Sequence, residues 1–172
     1  PSDTYQDIIN AASAGGAIFV IAAGNSNEDA LNTIPCIQQS VICVGATPVS
    51  GTRASYSNFG PAVTVMAPGG ELAEDLNGDG YPDGVLSTLR DKNNQPLLEF
   101  SQGTSMAAPH VAGVVALMKA VNPALTVAIA RSHLTATANP AHKCSEGCGA
   151  GMVNAQAAVL AAKGQAPAGP AK

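Results

Sequence analysis

The chain is predicted to be an α/β protein: a three-layer, doubly wound and mostly parallel sheet with helices on both faces and a small antiparallel hairpin ahead of one central helix. Three observations predict it. Continuous apolar runs of strand length at Ala17 to Ala23, Val41 to Ala46 and Val63 to Ala67 read as parallel strands covered on both faces. Helical segments precede and follow them, and that order describes a sheet whose functional edge lies at the carboxyl ends of its strands. The composition is 46% hydrophobic, 12% charged and 3% aromatic, with the excess in alanine, valine and glycine, which suits a tightly packed sandwich of small side chains.

Taken in order, Ser2 or Asp3 can cap a first helix through Ile8, Ile9 and Ala12 that Gly15-Gly16 ends. The first strand closes on Ala22-Ala23-Gly24-Asn25 and the third on Pro68-Gly69-Gly70. Val85 to Leu89 and Leu97 to Ser101 form a hairpin around the polar turn that begins at Asp91. The central helix opens in Gly103-Thr104-Ser105, carries Pro109 in its first turns, stays apolar on nearly every side to Met118, which reads as a helix buried on all faces, and stops at Asn122-Pro123. A short helix from Leu125 to Leu134 follows, then a last one over Ala155 to Ala162. From Gly164 to Lys172 the Gly, Pro and Ala alternation can bury nothing and reads as a linker or disordered tail.

A hydroxyl at the start of the central helix sits among unpaired N–H groups at the positive end of the dipole, where an oxyanion is stabilised. A serine there is usually only a cap. The full string from Gly103 to Gly113, Gly-Thr-Ser-Met-Ala-Ala-Pro-His-Val-Ala-Gly, carries more: it resembles the nucleophile motif of the subtilisin-like serine proteases. The elbow motif Gly-x-Ser-x-Gly of α/β-hydrolases fails, because Ala107 stands where its second glycine belongs. The resemblance assigns Ser105 to attack on a peptide carbonyl. His110 lies five residues on, about 500° around the helix, so its ring cannot meet Ser105; it is expected to be a buried, hydrogen-bonded core residue. His133 and His142 have no acid partner by spacing and read as surface or capping residues.

Ala-Ala-Gly-Asn at the end of the first strand is similar to the family's second motif, which implies that the Asn25 amide donates to the oxyanion, with the Ser105 N–H as second donor and Thr104 in support. Ala22, Ala23 and Gly24 are small enough for substrate backbone to lie against them by strand-type pairing. Aligned on the family pattern, Thr33 and Ile34 fall near the floor of the pocket, and with no acid there an apolar or aromatic side chain is preferred. Gly151-Met152-Val153-Asn154 resembles the family's closing turn. The likeness covers residues 1 to about 163, the later half of a catalytic domain. Its Asp and His-Gly-Thr-His motifs do not occur in these 172 residues, so the base and acid of the triad are expected on a preceding segment, the amino-terminal half of the same domain. Opening at Pro1, the chain reads as processed or truncated.

The segment from Glu71 to Gly84 is read as an insertion away from the chemistry. Its Asp75-Leu-Asn77-Gly-Asp79-Gly80-Tyr81-Pro-Asp83 places oxygens at alternate positions, with a glycine for a sharp turn, as a structural calcium loop requires. Leu86 stands where an EF-hand has its bidentate glutamate, and Asp83 is the substitute. The expected ligands are Asp75, Asn77, Asp79, Tyr81 and Asp83.

Four cysteines allow three full pairings. Cys144 and Cys148 enclose a tight glycine-containing loop and are the expected disulfide. Cys43 reads as a buried thiol, and many secreted relatives pair a cysteine at the position of Cys36 with one further upstream. The spacing is not that of zinc knuckles, and an oxidising, extracellular compartment fits better. Net charge is −4 with no basic run, so nucleic acid is not an expected partner, and no apolar run is expected to span a membrane. Two functions remain: a secreted serine endopeptidase acting on proteins or peptides, or a non-catalytic, calcium-stabilised binding module or degenerate relative.

Overall fold

The computed structural model describes residues 3–38, 40–142 and 144–164. Ser2, the Asp3 side chain and the tail beyond Gly164 lie outside that description. Helix α1 (Asp3–Ala14) ends where Gly16 turns to φ 91°, a conformation that favours glycine. Strands β1 (Phe19–Ala22), β2 (Val41–Thr47) and β3 (Val65–Pro68) form a parallel sheet in the order β1-β2-β3, with Ile21 opposite Cys43 and Val44 opposite Val65. All seven residues of β2 are buried, as continuous apolar patterning requires of a strand covered on both faces. Its alternate side chains enter two cores. Ile42, Val44 and Ala46 face Ala107, Val111, Val115 and Met118 of the central helix, whereas Cys43 joins Ala23, Cys36, Met66 and Cys148 on the other face.

β4 (Val85–Arg90) and β5 (Pro96–Ser101) pair antiparallel as the hairpin, and the chain then enters α2 (Thr104–Val121). α2 packs on all three parallel strands and on α4 (Ala155–Ala162), with α3 (Val127–Thr137) beside α4. Thr126 and Asn154 cap α3 and α4 by accepting the N–H groups of Ile129 and Ala157.

Three expectations are corrected. α2 is not buried on every side: Thr104, Ala107, Val111, Val114, Val115 and Met118 form its buried face, while Ser105, Pro109, His110, Ala112, Gly113 and Leu117 are exposed. The outward face is apolar too, so the sequence carries no polar stripe to mark it. With 18 residues of mean hydropathy 1.3, α2 also has the length and composition of a membrane span, although it packs on the sheet. Finally, Cys43 is not a free thiol, and Cys36 does not wait for an upstream partner: the two are joined, with Cα atoms 5.3 Å apart, because the loop after β1 returns beside β2. Cys144 and Cys148 form the second disulfide, as expected.

Candidate active site

β1 delivers Ala22, Ala23, Gly24 and Asn25 to the carboxyl edge of the sheet, opposite the first turn of α2. The helix begins at Thr104, and its N-cap, Gly103, has no side chain to satisfy the first N–H groups. Asn25 supplies one acceptor. Its Oδ1 takes both the Thr104 N–H and the Thr104 hydroxyl at 2.9 Å each, while the Thr104 Oγ1 accepts the Gly24 N–H at 3.1 Å. Thr104 is fully buried, so this closed set of bonds fixes the end of β1 against the helix. With Oδ1 occupied, Asn25 has only its Nδ2 donors left to turn elsewhere.

Gly103 defines where they turn. The point at which a Cβ would project from Gly103 lies 3.4 Å from Asn25 Nδ2 and 3.7 Å from the Ser105 backbone nitrogen. Two N–H donors therefore border one small space that a side chain at Gly103 would fill, and φ 145° at Gly103 suits glycine. The Ser105 N–H has no acceptor among the described residues, and its exposed hydroxyl makes no hydrogen bond there. The helix dipole adds its positive end to the same space. Such an arrangement is suited to stabilising an oxyanion beside a serine hydroxyl.

Ser105 opens into a cavity of about 420 Å³ lined by Val85, Ser87, Leu89 and Ser101 of the hairpin and by Met106, Pro109 and His110 of α2. His110 is thus exposed on the cavity wall and not in the core, because the face of α2 that carries it turns away from the sheet. Its Nδ1 donates to the Met106 carbonyl at 2.8 Å, and no hydrogen bond joins it to Ser105. His142 likewise spends Nδ1 on the Gly51 carbonyl.

Ala22, Ala23, Gly24, Thr33 and Ile34 do not line this cavity. Thr33 Oγ1 is 3.5 Å from the point a Cβ on Gly24 would occupy, and Ile34 is exposed. The N–H groups of Ala23 and Gly24 are already bonded within the chain, which leaves their carbonyls for strand-type pairing with substrate. The Ala23 N–H donates to the Val44 carbonyl, the Gly24 N–H to Thr104, and each carbonyl, with two lone pairs, accepts from Asn58. Beside these carbonyls the wall is one of small side chains.

Asn58, which sequence reasoning missed, is 1% exposed and makes four side-chain hydrogen bonds around this wall. Ser57-Asn58-Phe59-Gly60 looks like an ordinary polar turn, and nothing in its spacing marks the contact.

The segment 71–84 is not remote from the site. The Leu72 N–H donates to Gln102 Oε1 at 2.6 Å, and Tyr81 stacks on Phe100 with centroids 5.9 Å apart. Inside the loop, the Asp75 carboxylate accepts the N–H groups of Gly78, Asp79 and Gly80. Asn77 and Asp79 bond each other, Asp79 accepts the Tyr81 N–H, and Asp83 accepts that of Leu76. Glu74 Oε2 is buried with no hydrogen-bond partner among the described residues. The oxygen-rich donor set and this orphaned carboxylate oxygen suit a hard cation, although among the described residues no three acidic, imidazole or thiol groups gather at one point.

An exposed serine beside two N–H donors at the edge of a parallel α/β sheet is an arrangement that suits acyl transfer. The chain belongs to the subtilase family, whose sequence profile (Peptidase S8) matches residues 1–151. It is similar to an extracellular protease of Xanthomonas campestris, 45% identical over 164 residues that cover 94% of this chain and 26% of that protein. Subtilisin BL of Lederbergia lenta is 34% identical over 92% of this chain and 52% of its own length. Among solved structures, a protease from Pseudoalteromonas arctica superimposes with a TM-score of 0.83 at 42% identity, covering 94% of this chain and 47% of that one. The chain therefore spans between about a quarter and half of these relatives.

Proposed function

We propose that this chain is the part of a secreted serine endopeptidase that carries its nucleophile and oxyanion hole. The observation that supports this is the shared space beside Gly103, bordered by Asn25 Nδ2 and the Ser105 N–H. Ser105 Oγ attacks the peptide carbonyl, and negative charge develops on the carbonyl oxygen in that space. Asn25 and the Ser105 N–H stabilise it there, and collapse of the tetrahedral intermediate expels the amine and leaves an acyl-Ser105 ester that water hydrolyses. Thr104 holds Asn25 Oδ1 and so aims Nδ2. The base that takes the serine proton and the acid that orients it are assigned to the amino-terminal half of the domain, outside these 172 residues. His110 makes no hydrogen bond to Ser105, and Nδ1 of His110 and of His142 is bonded to a backbone carbonyl, not to an orienting carboxylate.

Substrates are proteins or peptides. Ala22, Ala23 and Gly24 with Thr33 and Ile34 are assigned to the wall and floor that receive the side chain before the scissile bond, and the absence of an acid among them favours apolar or aromatic groups over lysine or arginine. Asp75, Asn77, Asp79 and Asp83, with the Tyr81 carbonyl, are assigned to a structural Ca²⁺, which would stiffen the loop without entering the chemistry. Two disulfides and a relative named as an extracellular protease support secretion.

In the protein as its host produces it, Ser105→Ala should abolish peptide hydrolysis while leaving the fold intact. Asn25→Ala should lower kcat by about 100- to 1000-fold, the range known for the corresponding loss in subtilisin, a member of the same family. Undiminished hydrolysis by Ser105→Ala refutes the reading.

A further inference from the structure

The segment that presents Asn25 has few means of holding itself in place. Among the described residues Asn25 Oδ1 is held by Thr104, and Asn25 follows a glycine with φ 105°. The residues around it are gripped from outside. Asn58 Nδ2 donates to the Ala23 carbonyl at 3.0 Å and to Thr33 Oγ1 at 3.1 Å, and Asn58 Oδ1 accepts the N–H groups of Ser26 at 2.9 Å and Glu28 at 3.2 Å. Its backbone N–H donates to the Gly24 carbonyl at 3.0 Å. Two donors and two lone pairs are all that a side-chain amide possesses, and every one is used. The partners also settle which atom is nitrogen, since a carbonyl only accepts and an N–H only donates.

These contacts bracket Asn25, falling on residues 23, 24, 26 and 28. The fit is close: a Cβ on Gly24 would stand 2.5 Å from Asn58 Nδ2. Asn58 is itself anchored, for Ser57 Oγ donates to the Asn58 carbonyl and accepts the Ala46 N–H from β2. A rigid line thus runs from the central strand through Ser57 and Asn58 to the loop that carries the oxyanion donor.

We propose that Asn58 is a positioning residue for catalysis, holding Asn25 at the distance from the Ser105 N–H that lets both donors reach one oxygen. The inference rests on the reading of Asn25 as an oxyanion donor. Asn58 touches neither substrate nor reacting atoms; it acts through Asn25.

Kinetics in a double-mutant cycle on the full protease, as its host produces it, separates positioning from general support. Asn58→Asp keeps shape and both acceptor bonds but sets an oxygen against the Ala23 carbonyl, and should lower kcat about tenfold, a part of the whole donor's effect. In an Asn25→Ala background the same substitution should change kcat less than about twofold, because its target is gone. Asn58→Ala should repeat the pattern with a larger loss. Equal losses of kcat in both backgrounds, or no loss at all, would overturn the proposal. So would failure of both variants to accumulate as folded protein, since positioning predicts a folded enzyme with a displaced Asn25. A different outcome, Asn25→Ala leaving kcat unchanged, removes the oxyanion reading itself and the proposal with it.

Discussion

Thr104 donates twice to Asn25 Oδ1, once from its backbone and once from its hydroxyl, and it receives the Gly24 N–H in return. One buried threonine thus joins the end of β1 to the start of α2. Thr104→Val keeps the shape but leaves the Gly24 N–H without an acceptor, a loss of about 1–3 kcal/mol. Thermal unfolding should register that cost, and kcat should fall about tenfold as Asn25 loses one of its two anchors. Thr104→Ser should restore most of both. Unchanged kcat in Thr104→Val would show that Asn25 needs no aiming.

Calcium removal should act on both stability and activity, because the loop is tied to the segment before Ser105 through Leu72 with Gln102 and through Tyr81 with Phe100. Chelation should lower the Tm, and re-addition at about 100 times the Kd should return about 2.7 kcal/mol. Asp75→Ala removes the carboxylate that accepts three loop N–H groups and should abolish the calcium response. A Tm indifferent to chelator would remove the ion from the account.

The disulfide Cys36–Cys43 closes a separation of seven residues, and replacing both cysteines with serine should cost about 2–3 kcal/mol by loop-closure entropy. Cys144–Cys148 closes only four and should cost slightly less. Denaturant unfolding of the two double variants would rank them; a larger loss from the shorter loop would contradict the entropic argument.

Tyr56 provides a pH signature. Burial, opposed by a hydrogen bond to Gly103 and aided by the Glu71 charge, pushes its phenol up from 10.0 to about 12, and its hydroxyl donates to the carbonyls of Gly69 and Gly70. The raised value means that the unfolded chain ionises first. The contribution to stability is whole below pH 10 and is lost as pH rises through about 12. Tyr56→Phe should be less stable at neutral pH but should lack this part of the alkaline decline. An identical alkaline slope in the variant would contradict the assignment.

Much of the fold was legible because its signals are local. Continuous apolar runs marked β1, β2 and β3, and the turn Gly151-Met152-Val153-Asn154, which resembles the family's closing turn, marked the start of the last helix at Ala155. What escaped depends on approach through space. Cys43 looks like any small hydrophobe in a buried strand, and only the return of the loop after β1 brings Cys36 to it. The outward face of α2 is built of alanine, glycine, proline and leucine, so its exposure, and that of His110, left no polar trace. In the same way Asn58 acquires its importance from residues about thirty positions earlier.

The central claim is that the hydroxyl of Ser105 is a nucleophile served by the donors around Gly103. Its most direct test is fluorophosphonate labelling of the calcium-replete protease as its host produces it, followed by mass mapping of the adduct. The account predicts one adduct, on Ser105, with slower labelling in Asn25→Ala; hydrolytic activity with Ser105 unlabelled, or with the adduct on another residue, would contradict it.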